Sequence, residues 1–589
     1  MEHPLSLSAP FADPSSGNSD QPDRAPRRVF YRRVLAAAVP RVLGLMNRNP
    51  VSATWGCLDR NFWHYKTIIE FPCATYQQPV LAFAWLYCKG GQENRFKGNE
   101  AMREAARAAM LFWAKIQHRN GAFDEFYENE HSFCPTAFTT FAVSEALLTA
   151  EHLLAKEERE QLRLALSKAG DWLVAHHNPA VSNQMMAALN ALTNIALLTE
   201  EQRYKEGAEL KLSMLLESQH REGWFPEYGG ADIGYSFKAL DLLGHYFAKS
   251  EDERVAHALE NLLDFVHPFV HPDGTVGGFY GSRNTAHFLP YGLELLKACG
   301  FGKAGSILQL FGTGAERELV LSPLSVDDKY LAYFYLNSYV GALLASEDQL
   351  AEAETRRPER LALRGAGLFS LCRGDWYLVG SGFKGGCFKL YYRDRLRHQE
   401  AGYFGEFDDG TKFSSQTYDV ESKWEVQEQE GITVVEVESG FVRFDDSLPL
   451  VRYLLPFKLV TRMILKIGWL AQVFHRRLKE KKIVESEPVG LRLFRRIMMG
   501  EDSVAIVDVV RKETRKRVGV LRVCGDATVT HSASTRYLAL GDLAAGNLGQ
   551  GHDLPVKELN EKGVVVLERS VRINPVVSGP QFLSGGPDR

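Results

Sequence analysis

A seven-residue motif recurs at a fixed distance along the chain, and this repeat limits the possible folds more than any other feature. Residues 117–123 read Gln-His-Arg-Asn-Gly-Ala-Phe, residues 219–225 read Gln-His-Arg-Glu-Gly-Trp-Phe, and a weaker copy occupies residues 271–276. The glycines of the three copies are separated by 102 and then 51 residues. A period of about 50 residues, with helical patterns between the copies, is typical of stacked helical hairpins.

The helical region is predicted to close into a ring. From 29 to 350, apolar residues recur at the i, i+3, i+4 and i+7 spacing of helices that bury one face. A region of this length holds about six units of the repeat. Six hairpins close an (α/α)6 toroid, and an open helical solenoid is the alternative.

The pattern changes after the helices. Residues 351–361 are charged and contain proline, which predicts a linker. Residues 362–575 contain short β-branched or aromatic runs between Gly, Asp and Asn turns, which predicts an antiparallel β-sandwich. Residues 1–28 are predicted to be a disordered tail, since they are rich in Pro, Ser and Asp, and 576–589 a second tail. The expected fold class is therefore multidomain α + β.

Composition excludes several classes of function. The 589-residue chain has 69 basic and 73 acidic residues, a net charge of −4, so no overall field attracts nucleic acid. Its eight cysteines are sparse and form no Cys-x-x-Cys pair, and no phosphate-binding loop is present, so neither a metal nor a cofactor is predicted. We find neither an apolar run long enough to span a membrane nor a secretory signal, and we expect a cytoplasmic location.

One basic segment interrupts the β pattern. Residues 451–485 contain nine Lys or Arg and two Glu, with apolar residues at helical spacing. This composition is typical of an amphipathic helix that lies on an anionic membrane, here the inner membrane. The alternative is a helix or strand packed on the sandwich with its basic side chains in water.

The loops that contain the repeated glycines hold the candidate binding residues. In a helical toroid such loops surround a central cavity, so side chains distant in sequence converge there. Aromatic faces stack on sugar rings, while carboxylates and arginines bind hydroxyl or acidic groups, so this mixture predicts a carbohydrate cleft. The candidates for substrate binding are Glu125, Trp224, Glu227, Tyr228 and Arg283.

The order of these residues resembles that of the heparinase II/III-like polysaccharide lyases. Glu222-Gly223, Glu227 and Tyr235 follow the order of an acidic-Gly turn, a Glu and a catalytic Tyr in that family, and Asn183 lies 52 residues before the Tyr. The chain has Gln184 and Ser236 where histidines are common in the family.

The resemblance implies a toroid followed by a β domain that cleaves acidic polysaccharides or oligosaccharides by β-elimination at a uronic acid. Asn183 would bind the uronate carboxyl group and Tyr235 would take the C5 proton, its pKa lowered by Arg283 or by a protonated His287. His287 is also a candidate proton donor.

The family's β domain also contributes a His-rich strand that reaches the cleft. Here His398 and Glu400 have that place, so His398 is a fourth catalytic candidate, and Gln184 and Glu400 are further substrate-binding candidates.

Two other hypotheses remain open from the sequence. A hydrolase would use paired carboxylates, with Glu125, Glu227 and Asp232 as the candidates. A non-catalytic component of exopolysaccharide or lipopolysaccharide biosynthesis would be held at the inner membrane by residues 451–485, because the same fold class also serves proteins without activity.

Overall fold

The computed structural model describes seven stretches of the chain. They are residues 26–65, 69–91, 93–346, 357–444, 487–526, 537–539 and 551–572, together with Met463, Leu470 and Val473. The basic segment 451–485 therefore lies outside the described residues, apart from those three, as do the tail 576–589 and most of 1–28 and 351–361. Within the described part, no helix combines the length and the apolar character needed to cross a bilayer.

The first half of the chain is helical. Its α-helices are α1 Pro26–Leu45, α2 Arg60–Trp63, α3 Val80–Cys88, α4 Glu100–Lys115, α5 Phe133–Ala150, α6 Lys156–Ala175, α7 Ser182–Thr199, α8 Gln202–Ser218, α9 Ile233–Ser250, α10 Glu253–Val266, α11 Tyr291–Ala298, α12 Gly302–Glu316, α13 Asp328–Tyr330 and α14 Leu336–Ala345. A π-helical turn, Leu331–Tyr335, joins α13 to α14. Short 3₁₀ turns occur at Ala74–Gln77, Glu151–Leu153 and His267–Phe269.

These helices form a closed double ring. The inner ring consists of α3, α5, α7, α9, α11 and α14, each packed on the next, and α14 packs on α3 to close it. The outer helices α4, α6, α8, α10 and α12 pair with the inner helices that precede them, and α1 packs on α14 as the sixth outer helix. This arrangement confirms the predicted (α/α)6 toroid and excludes the open solenoid.

The repeated glycines explain why the hairpins stack. Gly121, Gly223 and Gly274 have φ angles of 93°, 94° and 83°. A Cβ atom at each would lie 2.1–2.3 Å from a backbone carbonyl oxygen of the next outer helix. Gln117 and Gln219, four residues before the first two glycines, each donate to the glycine carbonyl and to a carbonyl of that next helix. The motif therefore joins one hairpin to the next.

The second half of the chain forms two antiparallel sheets. The first has the order β1-β2-β3-β4-β5, and the second the order β13-β12-β6-β7-β9-β10-β11-β14 with β8 paired to β9. The strands are β1 Arg360–Leu363, β2 Leu368–Arg373, β3 Trp376–Ser381, β4 Cys387–Tyr392, β5 Arg395–Glu400, β6 Gly402–Phe407, β7 Lys412–Ser414, β8 Lys423–Gln429, β9 Ile432–Arg443, β10 Pro488–Met499, β11 Ser503–Lys512, β12 Val518–Cys524, β13 Gly551–Asp553 and β14 Val564–Arg572. A short helix, α15 Val556–Lys562, packs on the second sheet.

The first sheet lies between the toroid and the second sheet. Every residue of β3 is buried, which requires cover on both faces of the strand. Leu378 belongs to the core shared with the second sheet, whereas Tyr377 and Val379 belong to the core of the toroid. The Tyr377 hydroxyl also donates to the Pro268 carbonyl at 2.7 Å. The chain is therefore an α + β protein whose two domains share the middle sheet.

Candidate active site

Asp232 fixes the position of Tyr235 at the start of α9. One carboxylate oxygen of Asp232 accepts a hydrogen bond from the Tyr235 amide at 3.0 Å and caps the helix. The other accepts from the backbone amides of Arg283 at 2.9 Å and Thr285 at 3.3 Å, and the Thr285 hydroxyl also donates to this carboxylate. Both oxygens of Asp232 thus accept structural hydrogen bonds, which bring the backbones of Tyr235 and Arg283 together. Asp232 is therefore not available as one of the three carboxylates that the hydrolase hypothesis uses.

Asn183 and Glu227 are in direct contact at the adjacent inner helix. Asn183 is the second residue of α7, and its Nδ2 donates to both carboxylate oxygens of Glu227 at 2.8 Å. The Asn183 backbone amide donates to Oε1 at 3.1 Å. A β-bridge between Val181 and Glu227 holds the two segments in register. Burial raises the pKa of the Glu227 carboxyl to about 8, although the hydrogen bonds from Asn183 lower it.

Arg283 is the cation of this cluster. Its guanidinium carbon lies 4.4 Å from the centre of the Tyr228 ring, and it lowers the pKa of Glu227, Tyr228 and Tyr235 by its charge. Burial, Tyr330 and Glu227 nevertheless hold the pKa of Tyr235 well above its ordinary value. The Tyr235 phenol is therefore neutral in the substrate-free protein.

His287 lies behind Tyr235, fully buried among aromatic rings. Its ring centre is 6.0 Å from that of Tyr235 and 5.7 Å from that of Tyr330, and its Nδ1 is 2.7 Å from the Tyr335 hydroxyl. Its Nε2 has no hydrogen-bond partner among the described residues. Burial, with the nearby Lys238 ammonium, lowers the pKa of His287 to about 3. A neutral His287 cannot supply the positive charge considered for it above, so Arg283 is left as the cation that acts on Tyr235.

Glu125 belongs to a separate charged pair in the glycine-121 loop. Lys329 Nζ lies 2.9 Å from Glu125 Oε1 and 3.8 Å from the centre of the exposed Phe126 ring. The Glu125 charge contributes to the raised pKa of Tyr228, about 12, after the larger effect of burial. Glu125 is therefore close enough to Tyr228 to affect its pKa, but its carboxylate forms an ion pair with Lys329.

Two predicted substrate-binding residues are occupied by local contacts. The Trp224 side chain is buried and stacks on His220 at 4.6 Å, and its Nε1 donates to Glu222 at 3.2 Å. Gln184 Oε1 accepts from Asn178 Nδ2 at 2.8 Å. The structure therefore gives Trp224 a packing environment rather than an open face for a sugar ring.

His398 and Glu400 lie inside the β domain. Glu400 accepts hydrogen bonds from Arg495 at 2.6 Å and from Arg569 at 2.6 and 3.0 Å, and His398 Nε2 is 3.0 Å from the same carboxylate. Asp508 completes this network. None of the contacts found for His398 or Glu400 among the described residues involves Asn183 or Tyr235, so the structure does not bring these two residues into the cluster.

The β domain instead reaches the cluster through a lysine. Lys384 Nζ, between β3 and β4, donates to the Gly281 carbonyl at 2.9 Å and to the Asn284 side-chain oxygen. Burial lowers the pKa of Lys384 to about 8. The sequence predicts only a tight turn for the glycine-rich residues 381–386 and does not indicate a role for Lys384. Among the described residues, no group of three or more His, Cys, Asp and Glu side chains is arranged to hold a metal ion.

Comparisons with known proteins relate part of this chain to polysaccharide lyases. Residues 93–292 match the family model of the ulvan lyase N-terminal domain. Residues 93–292 are thus distantly related to a polysaccharide lyase domain. This relationship confirms the one predicted from the sequence, and the residues matched to the lyase domain include Asn183, Glu227, Tyr235, Arg283 and His287.

Solved lyase structures share the fold. A Paenibacillus xanthan lyase superposes with a TM-score of 0.50 at 12% identity, covering 87% of this chain and 47% of that one. The chain therefore spans about half the length of that lyase. A Streptomyces coelicolor A3 chondroitin AC lyase in complex with chondroitin sulphate gives a TM-score of 0.50 at 12% identity, covering 87% of this chain and 70% of that one. No curated protein matches the sequence.

Proposed function

We propose that this protein is a polysaccharide lyase that cleaves a uronate-containing acidic polysaccharide or oligosaccharide by β-elimination. The observation that carries the proposal is the cluster of Asn183, Glu227, Tyr235 and Arg283 around the ends of two neighbouring inner helices. The lyase-domain match over residues 93–292 supports it.

β-Elimination first requires neutralisation of the uronate carboxylate. The C5–H bond is acidic only when the negative charge that develops on the carboxyl group is stabilised by fixed donors or cations. Arg283 provides a guanidinium, and Asn183 provides an amide on the adjacent helix. A second cation, Lys329, stands beside the exposed Phe126 ring, which suits a longer acidic chain.

Tyr235 is the proton-transfer group of the proposal. It removes the C5 proton, the C4–O4 bond breaks to leave a C4=C5 double bond, and the departing O4 takes up a proton. Because the phenol is neutral in the substrate-free protein, it must release its proton to solvent as substrate binds, and Arg283 is the charge that stabilises the phenolate. The phenol formed by uptake of the C5 proton then protonates O4, which regenerates the phenolate.

The test is the ultraviolet absorbance of the unsaturated uronate product. Purified protein is incubated with ulvan, xanthan and chondroitin sulphate, and with oligosaccharides of each. We expect a rise with at least one polymer that disappears in Tyr235→Phe. The control is Tyr65→Phe, which changes an exposed tyrosine outside the cluster and should retain activity. Product without the double bond, or full activity in Tyr235→Phe, would refute the proposal.

A further inference from the structure

The side-chain amide of Asn183 points the wrong way for the role that the proposed function gives it. Its Nδ2 lies 2.8 Å from each oxygen of the Glu227 carboxylate and donates to it. Among the described residues, the hydrogen bonds of this side chain are the two from Nδ2 to Glu227, and no donor is found for its Oδ1. While Nδ2 is engaged by Glu227, the amide is poorly placed to donate to a uronate carboxylate.

The state of Glu227 decides which end of the amide faces it. An ionised carboxylate only accepts hydrogen bonds and therefore attracts the NH₂ group. A protonated carboxyl donates one hydrogen bond, and the amide oxygen of Asn183 is then the better partner. Rotation of the amide by half a turn exchanges its oxygen and nitrogen with little change of shape, and it directs the NH₂ group to the cleft.

We propose that the proton on Glu227 is the switch that turns the Asn183 amide toward substrate, so that Glu227 acts as a positioning residue for carboxylate recognition. This inference rests on the proposed function, since it concerns the same site. In the protonated state Glu227 holds the Asn183 oxygen, and both N–H groups of the amide are available to the uronate. In the ionised state the Glu227 carboxylate holds the NH₂ group of the amide through Nδ2.

The charges around Glu227 agree with a proton being held at neutral pH. Burial is the largest effect and raises the pKa of Glu227 to about 8, and Asp232 acts in the same direction. Arg283 and the hydrogen bonds from Asn183 act in the opposite direction. Tyr228 and Tyr235, the other titratable groups coupled to Glu227, have raised pKa values and are neutral in this range. The protonated form therefore predominates below about pH 8 and is lost above it.

The first experiment measures the proton itself and needs no substrate. Infrared difference spectra between the full-length protein and Glu227→Gln, recorded from about pH 5 to about pH 10, isolate the carbonyl band of the protonated Glu227 carboxyl. We expect this band to disappear with a midpoint near 8. A midpoint at the ordinary value of about 4.3 would overturn the inference whether or not the protein is a lyase.

The second experiment measures the consequence for recognition. Binding of methyl β-D-glucuronide to Tyr235→Phe, followed by calorimetry, should weaken about tenfold per pH unit above the midpoint. Glu227→Gln, which stays neutral and can donate to the Asn183 oxygen, should lose this pH dependence and retain the affinity seen at low pH. Glu209→Gln, which changes an exposed carboxylate paired with Arg254, should keep it.

The outcomes separate the inference from the proposed function. If Glu227→Gln retains the high-pH loss of binding, or if it binds poorly at every pH, the switch is refuted. If the glucuronide does not bind to the protein at any pH, recognition through Asn183 is refuted as well. If the pH dependence is confirmed but no polymer of the panel yields the unsaturated product, the switch stands as a feature of uronate binding and the lyase proposal fails.

Discussion

Replacement of Arg495 by methionine should strongly destabilise the β domain. Arg495 is buried and donates to Asp508 at 2.8 and 2.7 Å, to Glu400 at 2.6 Å and to the Gly386 carbonyl at 3.0 Å. With Arg569 it balances two buried carboxylates by two guanidinium groups. Methionine fills much of the same volume but removes one positive charge, so two negative charges then share a single cation.

The size of the effect follows from this imbalance. Removal of one partner from a buried ion pair costs about 3–5 kcal/mol, because the remaining charge is buried without compensation. A matched change on the same strand is Arg492→Met: Arg492 pairs with Glu438 and Glu513 at the surface and is 49% exposed. Exposed pairs contribute about 0–1 kcal/mol. We therefore expect a difference of several kcal/mol between two Arg→Met variants three residues apart.

Urea unfolding followed by tryptophan fluorescence measures the difference, since Trp376 and Trp424 are buried in the sandwich.

The difference should also depend on pH. Burial raises the pKa of Glu400, but the guanidinium groups of Arg569 and Arg495 outweigh this effect and hold the pKa well below its usual range. Its depressed pKa adds stability above the unfolded value of about 4.3, and this stability is lost as the pH falls through the folded value. The gap between wild type and Arg495→Met should thus narrow in acid. Equal, small losses for Arg495→Met and Arg492→Met at neutral pH would refute the reasoning.

Three further predictions concern the toroid. Gly223→Ala places a Cβ 2.2 Å from a backbone oxygen and should lower the free energy of unfolding by about 3 kcal/mol. Gly229 also has a positive φ but has open space around it, so Gly229→Ala should lower the free energy of unfolding by only about 1 kcal/mol. Thermal unfolding of both variants measures the difference. Arg283→Met should reduce kcat/KM about 100-fold and move the pH optimum upward, because the pKa of Tyr235 is no longer lowered; pH–rate profiles measure both. Glu222→Gln weakens two hydrogen bonds to the β-domain backbone and should cost about 1–3 kcal/mol in a urea titration.

The ring could be predicted from the sequence because its joints repeat. Gly121 and Gly223 both have a positive φ, and a Cβ at either position would clash with a backbone carbonyl oxygen of the next outer helix. The same steric requirement for glycine therefore occurs twice, within the same sequence motif. Arg283 could be found for a related reason, since it lies in the loop after such a joint, whereas Asn183 and Tyr235 were indicated by an order and spacing that resemble those of a known lyase family. Structural requirements that involve residues close together in the chain can therefore be recognised in a single sequence.

Side-chain contacts that form only in the folded structure are not visible in this way. His398 and Glu400 have the outline of a cleft strand, but their partners Arg495 and Arg569 lie about 100 or more residues later in the chain, where nothing in the sequence marks them. The aromatic loop predicts that Trp224 stacks on a sugar ring, whereas the structure stacks it on His220. The π-helical turn that carries Tyr335 to His287 has no sequence signal at all.

The middle sheet limits how the toroid and the β domain can be separated or exchanged between related proteins. One face of β3 completes the core of the ring and the other completes the core of the sandwich. A cut within the predicted linker, residues 351–361, would therefore not yield two independently stable domains. A fragment ending there would leave apolar surface open to water on both products. A β domain transplanted from a relative would have to arrive together with the toroid surface it covers, so the two halves are expected to be inherited as a pair.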